Sequence, residues 1–178
     1  AWGVPPAKQG DYAFLLHIIR SMKSAGKAAC ILPHGVLFRG NAEAVIRQQL
    51  VRSGYLKAII GLPANLFYGT GIPACIIVLD KENATARKGV FMIDASKGFR
   101  KDGPKNRLRE QDIHRIVDTF TRQVEIPGYA RLVPVAVSWW KLGGQRGFQL
   151  ADLRGDLLTA GQNFRRLQLQ VRLVRVVE

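Results

Sequence analysis

Ile59-Ile60-Gly61-Leu62-Pro63-Ala64-Asn65-Leu66-Phe67-Tyr68-Gly69-Thr70-Gly71-Ile72-Pro73-Ala74-Cys75-Ile76-Ile77-Val78-Leu79 reads as two core strands joined by a loop. Short apolar runs bounded by Pro and Gly are the pattern of buried strands. The loop between Pro63 and Pro73 carries two adjacent aromatics, Phe67 and Tyr68. A large aromatic pair there is well placed to meet a flat ligand. From spacing alone the structural reading is the stronger: Phe67 packs into the core and Tyr68 covers it.

Working outward, the same kind of pattern recurs on both sides. Asp11 can cap a helix running to about Ala25, with Gly26 at its end. Tyr12, Leu15, Leu16 and Ile19 share a face that Phe14 and Ile18 widen, which suits a helix packed on a sheet. Lys27 to Leu32 reads as a buried strand that Pro33-His34-Gly35 ends. Asn41 can cap a second helix with inner stripe Val45, Ile46 and Leu50, stopped by Gly54. Strands follow at Leu56 to Leu62, Ala74 to Leu79 and Val90 to Ile93, with a polar turn from Asp80 to Lys88. Ile113, Ile116, Val117 and Phe120 form a helical stripe over Glu110 to Arg122. Alternation followed by adjacent strands predicts an α/β sheet with an antiparallel edge hairpin.

At 178 residues, 47% hydrophobic and 22% charged, the chain has the size and composition of one globular domain. No apolar run is long enough to span a membrane, and no signal-peptide pattern opens the chain. Cys30 and Cys75 sit in apolar strand patterns and read as buried, reduced thiols of a cytoplasmic protein. No Cys/His spacing suggests a metal site. Ala1 is not an initiator methionine, so the chain reads as a fragment or a processed product.

The net charge is +14, which favours a polyanionic partner; a solvated basic surface is the bland alternative. Arg87, Lys88, Lys97, Arg100, Lys101, Lys105, Arg107 and Arg109 cluster before the last helix, diluted by Asp94 and Asp102. As loop cations they could hold phosphates, but a merely solvated loop carries at least equal weight. Of these, Lys97, Arg100 and Lys101, together with Arg39, are the candidate contacts to a nucleic-acid backbone.

A second candidate segment is Ile31-Leu32-Pro33-His34-Gly35-Val36-Leu37-Phe38-Arg39-Gly40, a strand end turning into a loop. Ligands of open α/β sheets bind at such ends. His34 invites an acid/base role, but no carboxylate or nucleophile partner lies nearby in sequence. Pro33 and His34 therefore read as the wall of a pocket, and Gly35 as a residue permitting a sharp turn.

Several runs together resemble the modification subunits of type I restriction systems, which are adenine-N6 DNA methyltransferases. They are Gly3-Val4-Pro5-Pro6, Asp11-Tyr12-Ala13-Phe14, the 59–79 stretch and Phe91-Met92-Ile93-Asp94-Ala95-Ser96-Lys97. Asn106-Arg107-Leu108-Arg109-Glu110 and Ile116-Val117-Asp118-Thr119-Phe120 continue the series, and the match spans Trp2 to Pro134. Family members carry Asn where His34 stands.

The resemblance implies the C-terminal portion of a class I, Rossmann-like, S-adenosylmethionine-dependent methyltransferase sheet. It implies methylation of adenine in duplex DNA, beside a specificity subunit and a restriction subunit. It also implies that Phe67 or Tyr68 stacks on the extruded adenine in a pocket completed by Pro33 and His34. Two family elements are absent from the 178 residues: the Asp-Pro-x-x-Gly-Ser-Gly-type cofactor loop and the Asn-Pro-Pro-Phe/Tyr tetrapeptide. The chain therefore carries no catalytic residue of the family, and its main S-adenosylmethionine-binding loop is missing. A non-enzymatic basic module that binds nucleic acid or a partner chain is the other function class.

Two domains are expected. Residues 1–134 form the C-terminal half of the catalytic domain, and 135–178 an Arg/Leu-rich tail. From Arg131 onward the chain contributes +5 of the net charge, and family character stops abruptly near Val137. A reading-frame change or a disordered segment would produce this, as would a divergent extension.

Overall fold

The computed structural model describes residues 2–135. The expectations for the tail, from Ala136 to Glu178, lie outside the described residues.

Among these residues the chain runs α1 (Asp11–Ser21), β1 (Lys27–Pro33), α2 (Ala42–Arg52), β2 (Leu56–Gly61), β3 (Ala74–Asp80), β4 (Gly89–Asp94), β5 (Arg100–Asp102), β6 (Lys105–Arg107), α3 (Glu110–Arg122) and β7 (Ala130–Pro134). Five strands form one mixed sheet in the order β1-β3-β2-β4-β7, and β5-β6 form a separate two-stranded ribbon. β2 and β4 are parallel, whereas β3 runs antiparallel to both β1 and β2. The β2–β3 hairpin therefore lies one strand in from the edge. α2 carries the chain over the sheet so that β1 takes the outer place on β3.

The apolar runs become central strands because both of their faces are covered. In β2, Ala58, Ile59 and Ile60 are all buried. Ile59, Cys75, Ile77, Val90 and Met92 pack beneath α1 and α2 with Leu15, Ile19, Ile46 and Leu50. Ala58, Ile60, Phe91 and Ile93 pack on the opposite face with Ile116 of α3. Each fully buried Val, Leu, Ile, Met or Phe among them stabilises the fold by about 1.5–3 kcal/mol.

Several sequence expectations need correction. β1 is an edge strand rather than a buried one, and Ile31 is 54% exposed. Cys30 is consequently only half-buried, while Cys75 is fully enclosed and burial pushes its thiol up to about 12. α1 stops at Ser21, not near Ala25, and neither Asp11 nor Asn41 caps its helix through the side chain. Asp11 instead pairs with Arg39 at 2.7 Å. Val45 points outward, and Val51 takes the inner place beside Ile46 and Leu50.

On α3 the inward face is Asp112, Ile116 and Thr119, while Ile113 and Val117 are 40% and 54% exposed. Asp112 is drawn inward because its carboxylate accepts the Arg109 backbone N–H at 3.0 Å and the Arg109 guanidinium at 2.8 Å. The basic stretch before α3 contains the β5–β6 ribbon, and β7 adds a strand that the sequence pattern does not predict. The described residues contain no helix long and apolar enough to cross a membrane.

Candidate functional site

The site is built where β2 ends. Gly61 closes the strand, and Pro63 is fully buried where the loop departs. The Leu62 N–H donates to the Ala74 carbonyl at 2.9 Å, which pins the two ends of the loop together. Between them the backbone turns twice, with Asn65 at φ +56° and Gly69 at φ +76°. Asn and Gly tolerate this left-handed conformation best. A Cβ on Gly71 would lie 3.0 Å from Asn65 Oδ1, so the loop folds closely on itself.

This geometry lifts the aromatics out of the core. Phe67 is 37% exposed, Tyr68 94% and Ile72 59%. The structure thus brings neither ring into the core, against the reading from spacing that buried Phe67. Each of these two rings offers solvent an aromatic face of the kind a planar heterocycle stacks on.

Pro33 and His34 lie across from the loop's return, Pro33 paired with Ala74 in the β1–β3 ladder. The His34 backbone N–H donates to the Pro73 carbonyl at 3.0 Å. His34 is only 3% exposed, and its Nε2 has no hydrogen-bond partner among the described residues. The imidazole is therefore enclosed beside the loop's end. Burial pushes its pKa below the ordinary 6.5, against the opposing pull of the Ala74 backbone hydrogen bond and the Asp94 charge. Gly35 does not adopt a left-handed turn. A Cβ there would meet the Arg39 guanidinium at 2.6 Å, so the glycine makes room for that side chain.

The buried neutral ring has a consequence for stability. Below pH 6.5 the unfolded chain takes up a proton that folded His34 resists. Stability is then lost as the pH falls from 6.5 through the ring's lowered folded value. Glu43, raised by burial, works in the opposite direction. The difference between wild type and His34→Asn isolates the histidine. The urea midpoint of wild type should fall further between pH 7.5 and 5 than that of His34→Asn. Parallel curves would show that folding does not lower the pKa of the ring.

The candidate phosphate contacts separate into two groups. Lys97, Arg100 and Lys101 are exposed. Arg39 is engaged inside the protein: it donates to Gln9 at 2.6 Å, to Glu43 at 3.0 Å and to Asp11 at 2.7 Å. Arg87 is likewise internal, donating to the carbonyls of Gly54, Asp80 and Glu82.

Lys105, one of the cations of the basic run, and Asn106 instead hold the aromatic loop. Lys105 Nζ donates to the carbonyls of Phe67 at 2.8 Å and Thr70 at 3.2 Å. The Asn106 backbone N–H donates to Asn65 O at 2.9 Å, and Asn106 Nδ2 to Ala64 O at 2.7 Å. Asp102-Gly103-Pro104 was the signal for the ribbon that carries them. Gly103 stands at φ +59°, and the fixed negative φ of the following Pro suits a type II′ hairpin turn.

Comparison with known proteins shows the family of the chain. The N-6 DNA methylase family model matches residues 1–136. The MpnII methylase subunit of Mycoplasma pneumoniae, a type I restriction enzyme subunit, is 37% identical over 128 residues, covering 72% of this chain and 23% of its own. The MjaVII methylase subunit of Methanocaldococcus jannaschii is 35% identical over 135 residues, covering 74% and 23%. The chain thus spans about a quarter of the length of these curated relatives. A crystal structure of a type I methyltransferase subunit from Streptococcus thermophilus superimposes with a TM-score of 0.69 at 40% identity, over 74% of this chain and 28% of that one. A modification subunit from Vibrio vulnificus, at 18% identity and a TM-score of 0.58, shares the fold. This chain belongs to the N-6 DNA methylase family.

Proposed function

We propose that the chain is the C-terminal part of the catalytic domain of a type I modification subunit, which methylates adenine N6 in duplex DNA. The observation that carries this reading is the exposed pair Phe67 and Tyr68 on a loop anchored between two buried strands. An exocyclic amine inside a duplex is out of reach, so the base must be extruded and stacked elsewhere. One of these rings is the stacking surface, with Pro33 and enclosed His34 shaping the wall behind it. Exposed Lys97, Arg100 and Lys101 hold the DNA backbone, a role that the internally paired Arg39 does not share.

The methyl donor in this reading is S-adenosylmethionine. The described residues do not fit it. The left-handed glycines are Gly3, Gly54, Gly69, Gly103 and Gly128, and none joins the end of a parallel strand to a helix as a cradle. No residue of this chain is therefore assigned to the cofactor. Sequence choice rests with a specificity subunit, cleavage with a restriction subunit, and the assembly works in the cytoplasm.

The test uses the full-length subunit that contains this segment. Phe67→Ala and Tyr68→Ala are compared for methyl incorporation and for the fluorescence of a base analogue at the target position. Stacking contributes on the order of 1–3 kcal/mol per base. At about 1.4 kcal/mol per factor of ten, one variant should lose roughly 5- to 150-fold in methylation rate. The 178 residues alone should transfer no methyl. If both variants extrude and methylate like wild type, the pocket assignment is wrong.

A further inference from the structure

An exposed ring gains nothing from packing, so its position depends on its backbone. Tyr68 is 94% exposed, and nothing in the core holds it. Besides the Leu62–Ala74 bond that closes its ends, the loop's backbone is held by two consecutive residues of β6. Carbonyls at Ala64, Asn65, Phe67 and Thr70, spread along the aromatic loop, all accept hydrogen bonds from Lys105 or Asn106. Asn106 is 7% exposed and contributes both its backbone and its side-chain N–H. Lys105 commits its ammonium to two loop carbonyls, and charge-assisted bonds of this kind are the stronger class. The strand across the ribbon, β5, carries the exposed Arg100 and Lys101.

We propose that the β5–β6 ribbon is a clamp that sets the aromatic loop, with Lys105 and Asn106 as positioning residues. Backbone contacts of the ribbon's outer cations and presentation of the aromatic rings then belong to one rigid unit. DNA held at Arg100 and Lys101 meets Phe67 and Tyr68 at a fixed offset. This rests on the base-stacking reading above, but the clamp itself is a statement about loop order and can fail separately. Lys105, despite its charge, is on this account not a phosphate contact. Its donors face the loop.

The experiment uses the full 178-residue chain and a short duplex bearing one unpaired 2-aminopurine. Hydrogen exchange at the Asn106 and Ile72 amides reads loop order, since these donate to Asn65 O and Thr70 Oγ1. Lys105→Met keeps the side-chain length and should speed both amides at least tenfold. It should also abolish most 2-aminopurine quenching and leave the salt dependence of duplex affinity unchanged. Lys105→Arg, which keeps donors at this position, should restore protection. Lys101→Met should do the reverse of Lys105→Met, lowering the salt slope by about 0.9 with exchange unaltered. Asn106→Asp, which loses the side-chain donor, is the second loop variant and should match Lys105→Met.

The clamp is overturned if Lys105→Met lowers the salt slope by about 0.9 and leaves both amides protected. It is overturned equally if both loop variants retain wild-type exchange. Quenching that survives Phe67→Ala and Tyr68→Ala would remove base stacking, while the exchange rates still decide the clamp.

Discussion

Phe91→Ala is expected to destabilise the chain by about 3–5 kcal/mol, the range for deleting a buried aromatic and leaving a cavity. Phe91 is 1% exposed on β4, between Ala58 of β2 and Leu132 of β7. Its ring fills the layer between the sheet and α3, together with Ile60, Ile93 and Ile116. The backbone there is fixed by ladders on both sides, so the site cannot collapse into the gap. With total stability of a domain at about 5–15 kcal/mol, this is a large fraction of what holds the fold. Urea midpoints measure it. Val117→Ala on α3 serves as the comparison. At 54% exposure that side chain should cost no more than about 0.5 kcal/mol. Equal losses for the two would mean that α3 packs through the face the structure shows in solvent.

Gly54→Ala should be nearly as damaging, for a backbone reason. Gly54 follows α2 at φ +69°, and a Cβ there would lie 1.9 Å from the Ala84 carbonyl oxygen. The left-handed conformation alone costs a non-glycine residue about 1–2 kcal/mol. The overlap adds to this, because the obstructing atom is main chain and cannot rotate away. Moving it would disturb Arg87, which donates to the Gly54 and Asp80 carbonyls and so ties this turn to the end of β3. A loss of about 2–4 kcal/mol is expected. Gly69→Ala separates the two contributions. That glycine has φ +76° with nothing within 4 Å of its missing Cβ, so only the conformational cost applies. If the two variants melt alike, the contact with Ala84 carries no weight.

Much of the fold was legible because its signals are local. The apolar runs at 56–61, 74–80 and 89–94 are strands within a residue or two of where hydrophobic pattern put them. α3 begins at Glu110 and ends at Arg122, as its periodicity implied. Burial of both faces of the central strands leaves little choice of residue, so those segments declare themselves. Edges do not. β1 has as apolar a sequence as a central strand, yet it pairs only with β3 and leaves Ile31 in solvent. On α3, two apolar residues at helical spacing lost the inward face to Asp112 and Thr119. A carboxylate satisfied by an adjacent arginine can be buried at low cost, and pattern reading does not weigh that partnership.

The candidate site divides along the same line. By itself the sequence determined that an aromatic pair sits on a loop between two core strands, and that basic residues gather before the last helix. Those are properties of contiguous residues. Only the tertiary structure decided which of the candidate cations remain available. It turned Arg39 inward onto Asp11, Glu43 and Gln9, and it set Lys105 and Asn106 against the loop carbonyls. The partners in each case are separated by roughly thirty residues or more, apart from Glu43. A hydrogen bond across such a distance forms only after the sheet has brought two loops together, so no local pattern in the chain announces it.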